Sequence, residues 1–520
     1  MTQPNTPAVA IFAGLFVFVT VLGFFAARWR RGDLNLLSEW GLGGRRFGTV
    51  VTWFLLGGDL YTAYTFIAVP AVLFGAGASG FFAVPYTILV YPLLFVVYPR
   101  LWSVAKAKGY VTAADFVRGR FGNGTLALAI AVTGIVATMP YIALQLVGME
   151  VVIAGLGIDM SPTLPLVGTV HDFPLLVAFT VLALYTYSSG LRAPAMIAVV
   201  KDVLLYATVI AAVIVIPTEL GGFGKIFAAA DPKTLILAPA TAANLGPQSA
   251  YATLALGSTL ALFLYPHAVT GLLSSSSRHV VRRNAVALPA YSFALGLIAL
   301  LGTMAVAAGV KTMPEFAAGF RTYGNQFAVP ALFLKMFPGW FVGVAFAAIA
   351  IGALVPAAIM SIACANLFTR NIYREYLNPN CSSAGEAQVA KIVSLVVKLG
   401  ALVFVLALPT AYAIQFQLLG GIIIIQTAPA VLLGLYTSKL NPWALLMGWM
   451  AGMASGTWMA WANAFKVSIY PLHILGVIVP CYAAVSSLVV NLVVSLAFSW
   501  LFNAVLRTPP SDATLEADYV

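Results

Sequence analysis

The chain has 520 residues, of which 61% are hydrophobic and 8% charged, with a mean hydropathy of +0.97 and a formal net charge of +11. Soluble domains carry about 25% charged residues, so a soluble protein is excluded. The positive charge sits in short loops and not on one basic face, which argues against nucleic-acid binding. Apolar runs of about 18 to 25 residues recur throughout, each long enough to cross a ~30 Å hydrocarbon core as a helix. They lack the two-residue alternation of a membrane barrel.

Thirteen such runs are expected as transmembrane helices, beginning near Ala8, Gly48, Phe81, Thr125, Phe173, Ala193, Tyr251, Ala285, Gly339, Ala390, Ala413, Trp443 and Leu472. The first follows a polar start with no positive n-region or small-residue cleavage pattern, so it is expected to remain in the protein. With the N-terminus outside, nineteen of the 27 basic residues fall in inside loops and six in outside loops, the bias expected of that orientation. The C-terminus is then cytoplasmic, and its tail (residues 508–520) is polar and acidic, expected to be disordered. No loop is long enough for a separate domain. Three scattered cysteines, Cys364, Cys381 and Cys481, suggest neither a disulfide framework nor a metal cluster.

Polar side chains inside the hydrocarbon are costly unless they face a cavity or a partner, so each is a functional candidate. The second span, WFLLGGDLYTAYTFIAVP, places Gly57 and Gly58 before Asp59, with Tyr61, Thr62 and Thr65 following. Glycine weakens a helix, and unwound backbone at membrane depth is tolerated beside a cavity. A discontinuous helix is expected there, with free carbonyls for a cation and free amides for an anion. The rival is close helix packing through the glycines. Gln145 lies in the fourth span, with Glu150 nearer its outer end.

The sixth span carries Lys201 beside Asp202. Adjacent residues point about 100° apart on a helix, so each is expected to need its own partner. A lysine in such a place can load and release a proton near neutral pH, or be a structural charge bonded to carbonyls. In the seventh span Pro266 breaks the helix beside His267. The ninth places Ala358 and Ser361 on one face, a spacing that also suits packing alone. Lys398, in the tenth, is given no role; Gln417 follows in the eleventh, and Gln426 is a further polar residue there.

Three stretches resemble the sodium:solute symporter family: GLGGRRFGTVVTWFLLGGDLYTAYTFIAVP, YPH followed by SSSSRHVVRRNA, and AAIMSIACANLFTRNIY. FAVPYTILVYP, GYVTAADFVRGRFG and ATMPYIALQLVGMEVVIA are similar to its bacterial monocarboxylate permeases. The resemblance covers residues 10–505. It implies an all-α, leucine-transporter-like core of two inverted five-helix repeats, residues 46–217 and 249–440, with one leading and two trailing helices. The substrate would lie between the broken second and seventh spans, reached by alternating access.

Family members form a sodium site from carbonyls of the second span and from a carbonyl and two hydroxyls of the ninth. Carried onto this sequence, the positions are Gly57, Leu60, Ala358, Ser361 and Ile362. The last has no side-chain oxygen, leaving one of five ligands missing. Where relatives carry Thr-Asp in the sixth span, this chain has Ile197-Ala198, with Lys201 one turn later. Sodium-independent transporters of this fold commonly hold a lysine on that helix. The ammonium of Lys201 is therefore expected to bond the carbonyls of Gly57, Leu60 and Ala358 and the hydroxyl of Ser361, with Asp202 beside it.

The resulting expectation is a multi-pass symporter of the bacterial inner membrane. It would import small monocarboxylates such as lactate, pyruvate, acetate or propionate, coupled to protons through Lys201. Asp59, Tyr61, Thr62, Thr65, Gln145, His267 and Gln417 would line the substrate site, with neither cofactor nor resident metal. Sodium-coupled symport of the same acids, or of small neutral amino acids such as alanine, is the alternative. A channel would show flux without accumulation. An enzyme is not indicated, since no nucleophile-base pair or metal-ligand spacing is visible.

Overall fold

The computed structural model of the chain describes residues 5–29, 32–62, 64–161, 163–164, 168–169, 172–407, 413–506 and 511–520. Fifteen helices carry the architecture: α1 (Thr6–Phe25), α2 (Thr49–Leu60), α3 (Val69–Ala76), α4 (Ala83–Val96), α5 (Gly124–Gly155), α6 (Phe173–Ser189), α7 (Arg192–Glu219), α8 (Gly246–Leu262), α9 (Pro266–Leu273), α10 (Pro289–Ala307), α11 (Gly339–Phe368), α12 (Ser383–Ala407), α13 (Ala413–Ile424), α14 (Pro442–Ala462) and α15 (Ala483–Leu506). Shorter helices and turns connect them. Among the described residues, eight helical stretches are long and apolar enough to cross a membrane, or nine with the pair α8 and α9, bent by 49°. At 17 residues α6 falls short of that length.

The core is built around α11, buried along nearly its whole length and packed against α1, α5, α7 and α12. Its small residues, among them Ala347, Ala350, Gly352 and Ala357, let neighbouring backbones approach closely. On α7 the pattern is one-sided. Val203, Ile210 and Ile214 are exposed, whereas Lys201, Asp202, Leu205 and Val209 are buried. Helical periodicity thus turns the charged pair inward.

Two expectations are corrected. The last apolar run does not begin a helix at Leu472: Ile469–Ile474 and Val477–Tyr482 form an antiparallel hairpin, and α15 starts at Ala483. The turn residues Leu475 and Gly476 both have positive φ, as a tight two-residue hairpin loop requires. Ile478 amide donation to the Ala243 carbonyl and Leu245 amide donation to Ile478 then fix the hairpin over the approach to α8.

The tail is ordered over residues 511–520; residues 508–510 lie outside the described set. Asp512 pairs with Arg120 at 2.6 Å and Asp518 with Lys108 at 3.1 Å. Tyr519 is buried beneath the guanidiniums of Arg100 and Arg120, with ring-centroid distances of 5.3 and 5.5 Å. Its acidic and aromatic groups match a basic pocket, which composition alone did not reveal.

Candidate functional site

The helix at the second span runs through both glycines and breaks three residues after Gly58, where Tyr61 takes φ −93° and ψ 88°. A π-helical turn at Tyr64–Ala68 leads into α3. The glycines serve close packing. A Cβ on Gly57 would lie 2.1 Å from the Tyr291 ring, and one on Gly58 would lie 2.9 Å from Lys201 Nζ. The expected break exists, displaced because the room those residues leave is filled by side chains from α7 and α10.

Lys201 Nζ donates to the carbonyls of Gly58 and Tyr61, at 2.5 and 3.0 Å, and lies 3.0 Å from Asp202 Oδ1. Both side chains are fully buried. The carbonyls are one residue along from the expected Gly57 and Leu60, following the displaced break. Lys201 and Asp202 do pair, contrary to the expectation from their adjacency, because four methylenes give the lysine the reach to meet its neighbour's carboxylate. Tyr291 donates its hydroxyl to Asp202 Oδ2 at 2.7 Å. Tyr61 packs its ring on Tyr291 and Tyr206, with centroids 4.8 and 6.4 Å away, so it lies on this side of α2.

Lys201 makes no hydrogen bond with Ala358 or Ser361 among the described residues. Ser361 instead donates to the Ala358 carbonyl at 2.8 Å and accepts from Ser394 at 3.2 Å, and Ser394 accepts from Lys398 Nζ at 2.8 Å. The hydroxyl face of the ninth span is therefore turned toward α12.

The opposite side of the break collects the remaining candidates. His267, at the start of α9, places Nε2 3.5 Å from Asp59 Oδ2. The rings of Tyr141 and Tyr265 pack on its imidazole, with centroids 5.4 and 5.3 Å away. Tyr265 donates to the Gln417 carbonyl at 3.1 Å, and Gln145 reaches back to the Tyr141 carbonyl at 3.4 Å. Thr65 Oγ1 accepts from the Thr62 amide at 3.4 Å, closing the turn after the break. Asp59 Oδ1, His267 Nδ1 and Gln417 Oε1 are buried with no hydrogen-bond partner among the described residues. Three orphaned polar atoms beside one helix break are a costly arrangement without a ligand. Next to it is a cavity lined by Thr112, Gly134, Pro266, Thr270, Ala363 and Thr427; Thr112 caps the helix Ala113–Phe121 that carries Arg118 and Arg120, which marks this as the arginine-rich side.

Sequence reasoning missed Tyr141, Tyr265 and Tyr291. Each lies in an apolar run where a tyrosine gives no signal of its own, and their roles come from contacts across helices. Gln426 is outside the site: it donates to Ser487 at 2.8 Å and accepts from Asn491 at 3.1 Å, holding α15. Glu150 is half-buried toward the far end of α5.

The profile of the sodium:solute symporter family matches residues 40–452. A monocarboxylate transport permease protein of Rhizobium johnstonii is 52% identical over 508 residues, covering 97% of this chain and 98% of the relative. The uncharacterised symporter YodF of Bacillus subtilis is 34% identical, covering 87% of each. Among solved structures, a Na+-coupled sialic acid symporter in a substrate-bound outward-open state superposes with a TM-score of 0.72 at 16% identity, covering 95% of this chain and 98% of that one. A nucleobase-cation-symport-1 family transporter in a closed conformation gives 0.56 at 11% identity, with 94% and 100% covered. At those identities the structural likeness is one of fold.

Proposed function

The chain belongs to the sodium:solute symporter family, and on that premise we propose that it imports small monocarboxylates across a bacterial inner membrane in symport with protons, using Lys201 as the coupling group. As a member of that family it is a multi-pass membrane symporter and not an enzyme. The monocarboxylate reading is supported by the relative from Rhizobium johnstonii, whose name specifies that class. In this reading residues 46–217 and 249–440 are inverted repeats that alternate access to a site between α2 and α9, with the N-terminus outside.

One observation supports the coupling proposal: the ammonium of Lys201 bonds the Gly58 and Tyr61 carbonyls at the break of α2, one residue along from the Gly57 and Leu60 carbonyls that the family resemblance assigns to a cation. A protonated Lys201 ties α7 to α2. Its deprotonation removes one of three N–H donors together with the positive charge, weakens the bonds to those carbonyls and to Asp202, loosens the helix end and lets the site open toward the cytoplasm. The substrate then sits on the other side of the break. His267 Nδ1 donates to its carboxylate, with Gln145, Thr62 and Thr65 around it, and Asp59 Oδ1 accepts the hydroxyl of a hydroxy acid such as lactate. Tyr141 and Tyr265 wall the pocket and limit it to short acids.

Reconstituted protein and labelled lactate test both parts. Pyruvate, acetate and propionate should compete, and alanine should not. Lys201→Ala should abolish accumulation driven by a pH gradient. Accumulation retained by that variant, or competition by alanine alone, would overturn the proposal.

A further inference from the structure

Lys398 belongs to no part of the mechanism above, yet its side chain is 0% exposed. Among the described residues one of its three donors is used, toward Ser394. The contrast with Lys201 is direct: Lys201 has a carboxylate at 3.0 Å, and Lys398 has none among the described residues. Burying an ion without a counter-ion is among the costliest arrangements a protein can hold.

The elements packed against α12 are α5, α6, α11, the helix Leu37–Leu42 and the turn Thr369–Leu377. Their carboxylates are already committed. Glu39 pairs with Arg192 and with Arg46, Glu375 pairs with Arg118, and Glu386 at the start of α12 pairs with Arg370 and Arg374. Glu150 lies eleven residues beyond Met139, the α5 residue that approaches α12 at Gly400, or about 16 Å along the helix. The other titratable or charged groups are Tyr141 on α5, Tyr185 and Tyr187 on α6, Cys364 on α11, Tyr373 and Tyr376 in the turn, and Lys391 on α12 itself; none bonds to Lys398. The amine does connect to a line of hydroxyls. Lys398 donates to Ser394, Ser394 to Ser361, and Ser361 to the Ala358 carbonyl. That line reaches α11, whose Ala363 and Leu367 line the cavity on the arginine-rich side.

We infer that Lys398 is a second proton-carrying site of the transport cycle, tied to α11 through Ser394 and Ser361, so that one monocarboxylate anion enters with two protons and one net positive charge. This rests on the reading of Lys201 as the first proton site. One proton and one carboxylate move no net charge, so a single-lysine carrier ignores the membrane potential. A carrier with two such sites is driven by it.

The test uses the full chain in sodium-free proteoliposomes at equal pH on both sides, with labelled lactate and an inside-negative potassium diffusion potential set by valinomycin. The potential should raise initial uptake several-fold. Lys398→Met, which carries no proton, and Lys398→Arg, which does not release one, should both lose that response while keeping uptake driven by a pH gradient. The methionine variant keeps the length of the side chain without burying a charge, so its result stands even where the arginine variant fails to fold. Sodium-free uptake indifferent to the potential, or a response kept by Lys398→Met, overturns this inference alone. Uptake that requires sodium under a pH gradient overturns the Lys201 reading, and this one with it.

Discussion

Two neighbouring glycines show how finely the site is fitted at the level of single residues. At Gly58 an added methyl group would meet the flexible end of Lys201, 2.9 Å away, and Asp202 Oδ2 at 3.2 Å; at Gly57 it would enter the Tyr291 ring at 2.1 Å. The first neighbour can withdraw and the second cannot. Gly58→Ala should therefore fold but lose the lysine's grip on the break, lowering proton-driven lactate uptake on the order of tenfold, the worth of a charge-assisted hydrogen bond. Gly57→Ala should cost about 1–3 kcal/mol by overpacking, seen as a lower Tm in detergent. Equal stability losses with equal uptake would show that neither glycine is there to admit these side chains.

Between elements, the decisive contacts are polar and made across helices. Gln426 bonds Ser487 and Asn491 of α15, and Asn491 also donates to the Gln426 carbonyl. Gln426→Ala should lower stability by about 1–3 kcal/mol, because it leaves buried partners unsatisfied, while the lactate concentration for half-maximal uptake stays unchanged. Most helix boundaries were legible in the sequence because their causes are local. Pro266 breaks the α8–α9 pair where the sequence places it, and Arg192, Gly124 and Gly339 start helices within a residue of expectation. Asp59, His267, Gln145 and Gln417 were legible as polar groups in apolar surroundings. What was not legible depends on three dimensions. The break falls at Tyr61 because Tyr291 and Lys201 fill the space at the glycines. Ser361 turns away from the gap because Ser394, itself held by Lys398, bonds it. An apolar run at Leu472 becomes a hairpin because Leu475 and Gly476 turn it back.

Across the whole molecule, the tail joins parts far apart in sequence. It bonds the helix Ala113–Phe121 through Arg120, which also donates to the Gly434 carbonyl at 2.9 Å. That ties the segment carrying Thr112 to the one following Thr427, both of which line the cavity on the arginine-rich side. The Leu515 amide, with Lys108, holds the Asp518 carboxyl below its ordinary value. A carboxylate favoured in the docked state contributes above its ordinary range and loses that contribution as pH falls through its depressed value. The Lys108 share of that contribution belongs to docking, so the tail should resist proteolysis at neutral pH and lose protection progressively as pH falls below the ordinary carboxylate range, about 4, toward the depressed value. Asp518→Lys should release it at neutral pH, and Lys108→Asp added to that variant should restore protection. Protection unchanged in Asp518→Lys would place the docking energy elsewhere. The proposed coupling rests on the Lys201 ammonium doing between α2 and α7 what a metal ion would do. Its most direct test is the initial rate of lactate uptake into proteoliposomes at one fixed pH gradient, measured with sodium and with sodium replaced by choline. The account predicts the same rate in both; uptake that collapses when sodium is removed would contradict it.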